Sequence, residues 1–161
     1  MNSNQPTSIA PQIRQAIETL AQLAQAQCQA NDQSLSIVED SVIDAYQQHY
    51  PLLQIITAQS QVVQQHGHRV LSLPCYLIIG PRQTHDSPTV SALNQNNQQG
   101  IAAHDLFWQI DQAWRNYPLA MITTTIPEPI IQPGGKTNQN LLPNNNLIGL
   151  SFGVMVSILP Q

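Results

Sequence analysis

Apolar residues recur at helical spacing near the start of the chain. Ile9, Ile13 and Leu20 fall on one stripe, which is typical of a helix with one buried face. Ser8 stands just before this stripe and is a suitable N-cap residue, because its hydroxyl can accept a hydrogen bond from a free backbone N–H. The pattern predicts an amphipathic helix that ends near residue 30.

Two weaker patterns follow this helix. Val38, Val42 and Tyr46 are again spaced as on a helix, and Pro51 ends that pattern because the residue before a proline avoids the helical conformation. Residues 52–58 contain a β-branched pair at their centre, which favours a strand. We therefore expect a second helix and then a short strand.

The segment 69–79 alternates with a period of two, as a strand does. Its unbroken apolar face consists of Leu71, Leu73, Cys75, Leu77 and Ile79. The opposite face is mixed and includes Pro74, which has no N–H to donate to a neighbouring strand. This strand is therefore expected at a sheet edge, or bulged at Pro74.

A further helix is predicted over residues 104–116, where Pro118 stops the pattern. Its apolar stripe consists of Leu106, Phe107, Ile110, Ala113, Trp114 and Tyr117. Residues 121–126 then indicate a strand whose one face carries Ile122, Thr124 and Ile126.

The last predicted strand, residues 147–159, alternates cleanly between two kinds of side chain. The set expected in the core is Ile148, Leu150, Phe152, Val154, Val156 and Ile158. The other set is small and nearly uncharged: Gly149, Ser151, Gly153, Met155 and Ser157. Such a flat face suits the close approach of another backbone, a neighbouring subunit or a narrow lumen.

Two segments are predicted as long loops: residues 82–100, with Thr, Asp, Ser, Pro and an Asn/Gln run, and residues 132–146, which are built from Gly, Pro and Asn. Loops of that length are uncommon unless they serve a function or move. The whole order predicts one α+β domain over residues 1–161, with helices packed on one face of a mainly antiparallel or mixed sheet.

Composition adds that the surface is poor in charge. Charged residues make up 9% of the chain, against about 25% in typical soluble proteins, while 24 Gln and 12 Asn take their place. Such a surface resists self-association poorly because it offers little like-charge repulsion. A general preference for Gln and Asn in the source genome explains this composition equally well, and coverage of the surface in an assembly is the alternative.

The five basic residues are scattered among nine acidic ones, so no stripe of positive charge can follow a phosphate backbone. We expect no direct nucleic-acid binding. No signal peptide or membrane span is expected, because residues 1–7 are polar and the apolar stretch 147–159 falls short of the roughly 20 residues needed. Cys28 and Cys75 lack paired spacing and are expected as free, buried thiols.

Two stretches resemble catalytic or phosphate-binding motifs without meeting their requirements. Residues 149–153 match G-x-S-x-G, which needs a sharp strand-to-helix turn and a later histidine; Ser151 instead lies in an alternating strand. Residues 134–137 resemble the end of a P-loop, but Ile130 stands where the motif needs its first glycine. No catalytic residue, cofactor or enzyme activity is expected.

The histidines offer no stronger site. His66 and His68 could approach one metal ion, but zinc needs at least three protein ligands, so a hairpin turn at Gly67 is the favoured interpretation. His104 and Asp105 are interpreted as local capping near a helix start.

The order of these elements resembles the tail terminator family of long-tailed bacteriophages, the lambda-type minor tail protein U. The resemblance covers nearly the whole chain. Its carriers are the first helix through residues 13–23, Tyr50-Pro51 before a short strand, the long strand 69–79, the helix 104–116 closed by Tyr117-Pro118, and the final strand 147–159.

This resemblance implies a structural virion protein, assembled in the host cytoplasm, that forms a ring, usually a hexamer. The ring caps the tail tube, ends its polymerisation and joins it to the head connector, so the partners are other copies, the tail tube protein and the connector protein. Another neck or tail-completion protein remains an alternative, as does a small hydrolase or ligand-binding domain. From the strand pattern, the residues expected at interfaces are Arg82, Gln83, Asp86, Gly134, Gly135, Lys136, Gly149, Ser151, Gly153 and Met155.

Overall fold

The computed structural model describes residues 8–39, 49–81, 90–130 and 147–158. Within them, two helices are present: α1 (Ala10–Ala30) and α2 (Val90–Arg115). The strands are β1 (Ser36–Glu39), β2 (Leu52–Ile55), β3 (Gln61–Gln65), β4 (His68–Pro81), β5 (Ile122–Thr124), β6 (Glu128–Pro129) and β7 (Leu147–Ser157). A short 3-10 turn, Thr57–Gln59, follows β2.

The strands form one mixed sheet. Its main order is β1-β2-β4-β7-β5, with β3 also paired to β4 and β6 also paired to β7. Only the β1–β2 pairing is parallel among these strands; the other pairings are antiparallel. The predicted α+β class and the mainly antiparallel, mixed sheet are confirmed.

Strands β4 and β7 form the centre of the sheet. They pair from Val70↔Ser157 to Pro81↔Leu147, with an irregularity between Ile78 and Gly80. The alternating apolar residues of both strands point to the same side, because Leu73 stands opposite Val154 and both are fully buried. This arrangement confirms the apolar faces predicted for the two long strands.

Both helices cover that apolar face. The buried apolar residues of α1 and most of the predicted stripe of α2 belong to one core cluster with alternate residues of β4 and β7. Trp114 is fully buried and donates its indole N–H to the carbonyl oxygen of Leu20 at 3.0 Å. Phe107 meets Phe152 edge to face, with ring centroids 4.8 Å apart. The core thus joins helix to helix and helix to sheet through aromatic side chains.

A second apolar cluster lies on the opposite face of the sheet. It consists of Leu52, Ile56, Tyr76, Ile78, Ile130 and Leu147. The mixed face of β4 is therefore partly a core face as well, which the alternation of residues 69–79 did not indicate. Burial raises the pKa of the Tyr76 phenol in this cluster.

The expectation that β4 lies at a sheet edge or is bulged at Pro74 was wrong, because β4 has neighbours on both sides and the register shift in its pairing with β7 lies between Ile78 and Gly80. Pro74 stands opposite Gly153, whose N–H and C=O instead bond the hydroxyl and the N–H of Thr125. Pro74 therefore turns its backbone to the other side of β4, where the pairing of β4 with β3 ends at Ser72 and its pairing with β2 begins at Cys75. Its missing N–H falls in this gap, and its carbonyl accepts the N–H of Ile56 at 3.0 Å. A central strand tolerates the proline for that reason.

Two other expectations about the elements were wrong. Helix α2 starts at Val90, so residues 90–100 of the predicted loop 82–100 are helical. Six amide residues in a row, 94–99, carried no apolar stripe to reveal this. Val38 lies in β1 and not in a helix, and residues 40–48 lie outside the described part. The early start of α2 also places His104 and Asp105 in mid-helix, where Asp105 accepts a hydrogen bond from Gln109 at 2.9 Å instead of capping an end.

Smaller predictions are confirmed, with one exception. His66 and Gly67 form a two-residue turn between β3 and β4, with φ of 50° and 81°, as a type I′ hairpin requires. The first helix begins at Ala10, but Ser8 is not its N-cap as predicted, because Ile9 occupies that position; the Ser8 hydroxyl accepts the Ala10 N–H at 3.1 Å. Cys28 and Cys75 are free and buried.

Candidate interaction surface

The residues predicted at interfaces fall into two groups. Arg82, Gln83, Asp86, Gly134, Gly135 and Lys136 lie outside the described residues, and their role stays a prediction. Gly149, Ser151, Gly153 and Met155 lie together on the face of β7 that points away from the helices.

Within that face, Gly149 is accounted for by packing inside the chain. A Cβ atom added there would collide with the carbonyl oxygen of Leu77, and would lie 2.9 Å from Ile78 Cα and 3.0 Å from Ile130 Cδ1. Only glycine lets β7 approach β4 this closely. Gly149 therefore belongs to the interior, and its small size needs no neighbouring subunit to explain it.

The other three residues of this face are half-buried. Gly153 lies under Thr125, whose Cγ2 would be 3.4 Å from an added Cβ. The Met155 sulfur lies 3.3 Å from the amide nitrogen of Gln65, on β3. Side chains from the same chain thus cover part of the face, and what remains open is small and uncharged.

Among the described strands, β5 stands at one end of the sheet, and its outer edge is open there. The backbone N–H of Ser157 donates to the Met121 carbonyl, and the backbone N–H of Thr125 donates to the Gly153 carbonyl, both at 2.9 Å. Since backbone groups alternate in direction along a strand, Ile122 and Thr124 turn their N–H and C=O groups away from β7. Among the described residues, no strand pairs with this outer edge of β5.

Large apolar side chains are exposed on α2 and directly after β5. Ile126 follows β5 and is 87% exposed, while Ile101 and Trp108 on α2 are 69% and 63% exposed. Ile101 and Trp108 are seven residues apart and share one helix face. We call Ile101, Trp108 and Ile126, with the half-buried Pro127 beside them, the α2–β5 surface.

A groove of about 360 Å³ crosses this surface between α2 and residues 124–127. Phe107, Trp108, Ile126 and Pro127 supply its apolar lining, and His104 lies beside them. At the other end of the groove are Asp111, Arg115 and Thr124.

Those three polar residues bind one another and join α2 to β5. The Thr124 hydroxyl donates to Asp111 Oδ1 at 2.6 Å, and Arg115 Nε donates to Asp111 Oδ2 at 2.8 Å. Arg115 Nη2 also donates to the Thr124 hydroxyl at 3.4 Å. Asp111 is only 6% exposed, and the ion pair with Arg115 neutralises its buried charge. This polar cluster fixes the edge strand against the helix.

The candidate nucleophiles, Ser151 and the two cysteines, lie outside this groove. Ser151 is within the continuous strand β7, between Tyr76 of β4 and Glu128 of β6, and makes no strand-to-helix turn. No group of three or more His, Cys, Asp or Glu side chains suited to a metal ion occurs in the described ranges. Burial raises the pKa of both thiols, Cys28 and Cys75, which keeps them protonated and weakly nucleophilic.

The sequence pattern missed the α2–β5 surface. Trp108 lies off the buried stripe of its helix, and an aromatic residue on the polar face was the available signal. Ile126 was expected to share the environment of Ile122, but Ile122 is 3% exposed and Ile126 is 87% exposed. The strand ends at Thr124, so the alternation from which we predicted a common face stops before Ile126.

No protein-family model matches the chain, and no curated protein matches it. No helix within the described ranges is long and apolar enough to span a bilayer. The open edge of β5 and the exposed apolar side chains next to it are the features that a function has to explain.

Proposed function

We propose that this protein is a structural subunit that assembles with copies of itself into a closed ring. In the form that the sequence resemblance suggests, the ring is the tail terminator of a long-tailed bacteriophage, caps the tail tube and joins it to the head connector. The observation that carries the proposal is the open edge of β5 beside the exposed apolar residues of the α2–β5 surface.

Open sheet edges favour association because they present unpaired backbone donors and acceptors. The sheet has β1 at one end and β5 at the other. The pairings along the sheet make β5 run antiparallel to β1. Copies arranged head to tail in one orientation would therefore bring two antiparallel strands together. Rotational closure then satisfies both edges without producing fibres.

The low charge of the chain supports association of identical copies. The formal net charge is −4, and only 9% of the residues are charged, so two copies repel each other weakly. Amide and apolar groups are available for the contacts instead. A capping and joining role of this kind needs no cofactor or catalytic residue.

Light scattering behind size exclusion, over a range of protein concentrations, tests the proposal. We expect a closed oligomer of defined mass, ring-shaped particles in negative stain, and binding to the ends of tail tubes. A protein that stays monomeric at every concentration and does not bind tail tubes would contradict the proposal. A ring that binds head connectors but not tubes would instead favour another neck protein.

A further inference from the structure

We infer that the groove between α2 and residues 124–127 is the docking site of the neighbouring copy of this chain, with Trp108 and Ile126 as its anchors. This inference rests on the proposed function, because it names the surface through which that assembly forms. In addition to the open edge of β5, the inference specifies one groove and two side chains as the contact.

The exposed area is of the size that a subunit contact uses. From their exposed fractions, Ile101, Trp108 and Ile126 place on the order of 400 Å² of apolar surface in solvent. The largest apolar patch on a typical monomer is roughly 300–600 Å² and is often functional. A standard interface buries about 800 Å² per partner. These three side chains could thus supply about half of one partner's contribution, and the β5 edge and the groove rim would add to it.

The surface is also held in place before any partner binds. Phe107, below Trp108 in the groove, is 8% exposed and packs on Phe152. Asp111 binds both Arg115 and Thr124, which fixes β5 relative to α2. A rigid groove loses little conformational entropy on binding, and tryptophan is a frequent anchor at such contacts.

The chemistry of the groove favours another copy over a small ligand. Ile122 and Thr124 turn main-chain groups away from β7 that pair with no strand among the described residues, and a protein strand satisfies such groups best. The charges within the groove, those of Asp111 and Arg115, are already paired with each other, so the site presents no net charge to attract an ionic ligand. The scarcity of charge in the chain leaves little repulsion between two copies at this surface.

The test compares three full-length proteins: the wild type, Ile126→Lys and the control Val62→Lys. Val62 is 42% exposed and lies on β3, away from β5. A lysine at Ile126 would place an unpaired charge in the contact. We expect the dissociation constant of the oligomer, from sedimentation, to rise at least about thirtyfold in Ile126→Lys. The control should assemble as the wild type does, and both variants should keep the wild-type far-ultraviolet circular dichroism.

Tryptophan fluorescence gives a second measurement at the same groove. The chain has two tryptophans; Trp114 is fully buried, whereas Trp108 is 63% exposed. Assembly at this groove should shift the emission to shorter wavelength as the protein concentration rises. The shift should be absent in Trp108→Phe, which retains Trp114 as an internal reference.

The possible results separate the inference from the proposed function. Two results together would overturn the inference and leave the proposed function standing: rings whose dissociation constant is unchanged by Ile126→Lys, and an emission shift on assembly that persists in Trp108→Phe. A wild type that is monomeric at every concentration would also overturn the inference. If that monomer also fails to bind tail tubes, the proposed function falls with it. Loss of assembly in Ile126→Lys alone, together with the emission shift in the wild type, supports both.

Discussion

At the scale of single residues, Gly149 is the most constrained of the glycines in the described strands. An alanine there would place its methyl group against the Leu77 carbonyl and Ile78 Cα. Neither contact can move without shifting β4, because both are backbone atoms in the centre of the sheet.

We therefore expect Gly149→Ala to lower the free energy of unfolding by about 1–3 kcal/mol, the usual range for overpacking. Gly100→Ala is the matched control, since Gly100 lies in α2 and an added Cβ would meet nothing within 4 Å. That control should gain about 0.5–1 kcal/mol from better helix propensity. Urea unfolding of both variants measures the difference. Equal stability of Gly149→Ala and the wild type would show that β4 and β7 are not so closely packed.

The two buried thiols are expected to make the stability of the protein depend on pH. Burial raises the pKa of Cys28 and of Cys75, whereas an unfolded thiol ionises near pH 8.5. The unfolded chain therefore releases these protons first as the pH rises. Their contribution to stability is fully present below about pH 8 and declines above it.

Thermal unfolding across the alkaline range checks this dependence. We expect the melting temperature to fall above about pH 8.5, and to fall less steeply in the double variant Cys28→Ala/Cys75→Ala. Tyr76 should add to the decline at higher pH in both proteins, because its pKa is also raised. A thiol reagent that reacted rapidly with the folded protein at pH 8 would contradict the burial of the cysteines.

At the scale of elements, β7 supplies half of the central pairing and much of the core. Val154 is fully buried opposite Leu73. Val154→Asp would bury a charge with no partner, which costs several kcal/mol of a total stability of about 5–15 kcal/mol. We expect the variant to be insoluble or unfolded when expressed. Val62→Asp, on a 42% exposed position of β3, should remain soluble. A folded, soluble Val154→Asp protein would mean that the faces of β7 are reversed.

The elements also indicate how far the sequence could predict the fold. The strands β4 and β7 and the buried stripe of α2 were predictable because their apolar residues repeat with a clear period. The start of α2 at Val90 was not, since a run of Asn and Gln, residues 94–99, follows its first turn and carries no apolar stripe. The central position of β4 was obscured by Pro74, whose effect depends on the gap between β2 and β3.

The candidate surface was less predictable than the fold. Exposure of Trp108 and Ile126 depends on where β5 ends and how α2 lies against it, which are tertiary features. The small face of β7 was correctly identified as a set, but a sequence cannot distinguish a glycine that fits a partner from one that fits its own neighbouring strand. Gly149 proved to be of the second kind.

At the scale of the whole molecule, the scarcity of charge distinguishes this protein from one that associates through ion pairs. Screening by salt acts on exposed charges, and these make up few of its residues. The contacts expected at the α2–β5 surface are apolar and main-chain contacts. Assembly should therefore depend on protein concentration but only weakly on ionic strength.

The mass of the wild-type protein by sedimentation, over a wide range of protein concentrations at low and high salt, tests the central claim most directly. The assembly account predicts a closed oligomer of one defined mass that forms with increasing concentration, with a dissociation constant that changes little between the two salt conditions. A monomer under every condition that also fails to bind tail tubes, or an oligomer that high salt dissolves completely, would contradict it.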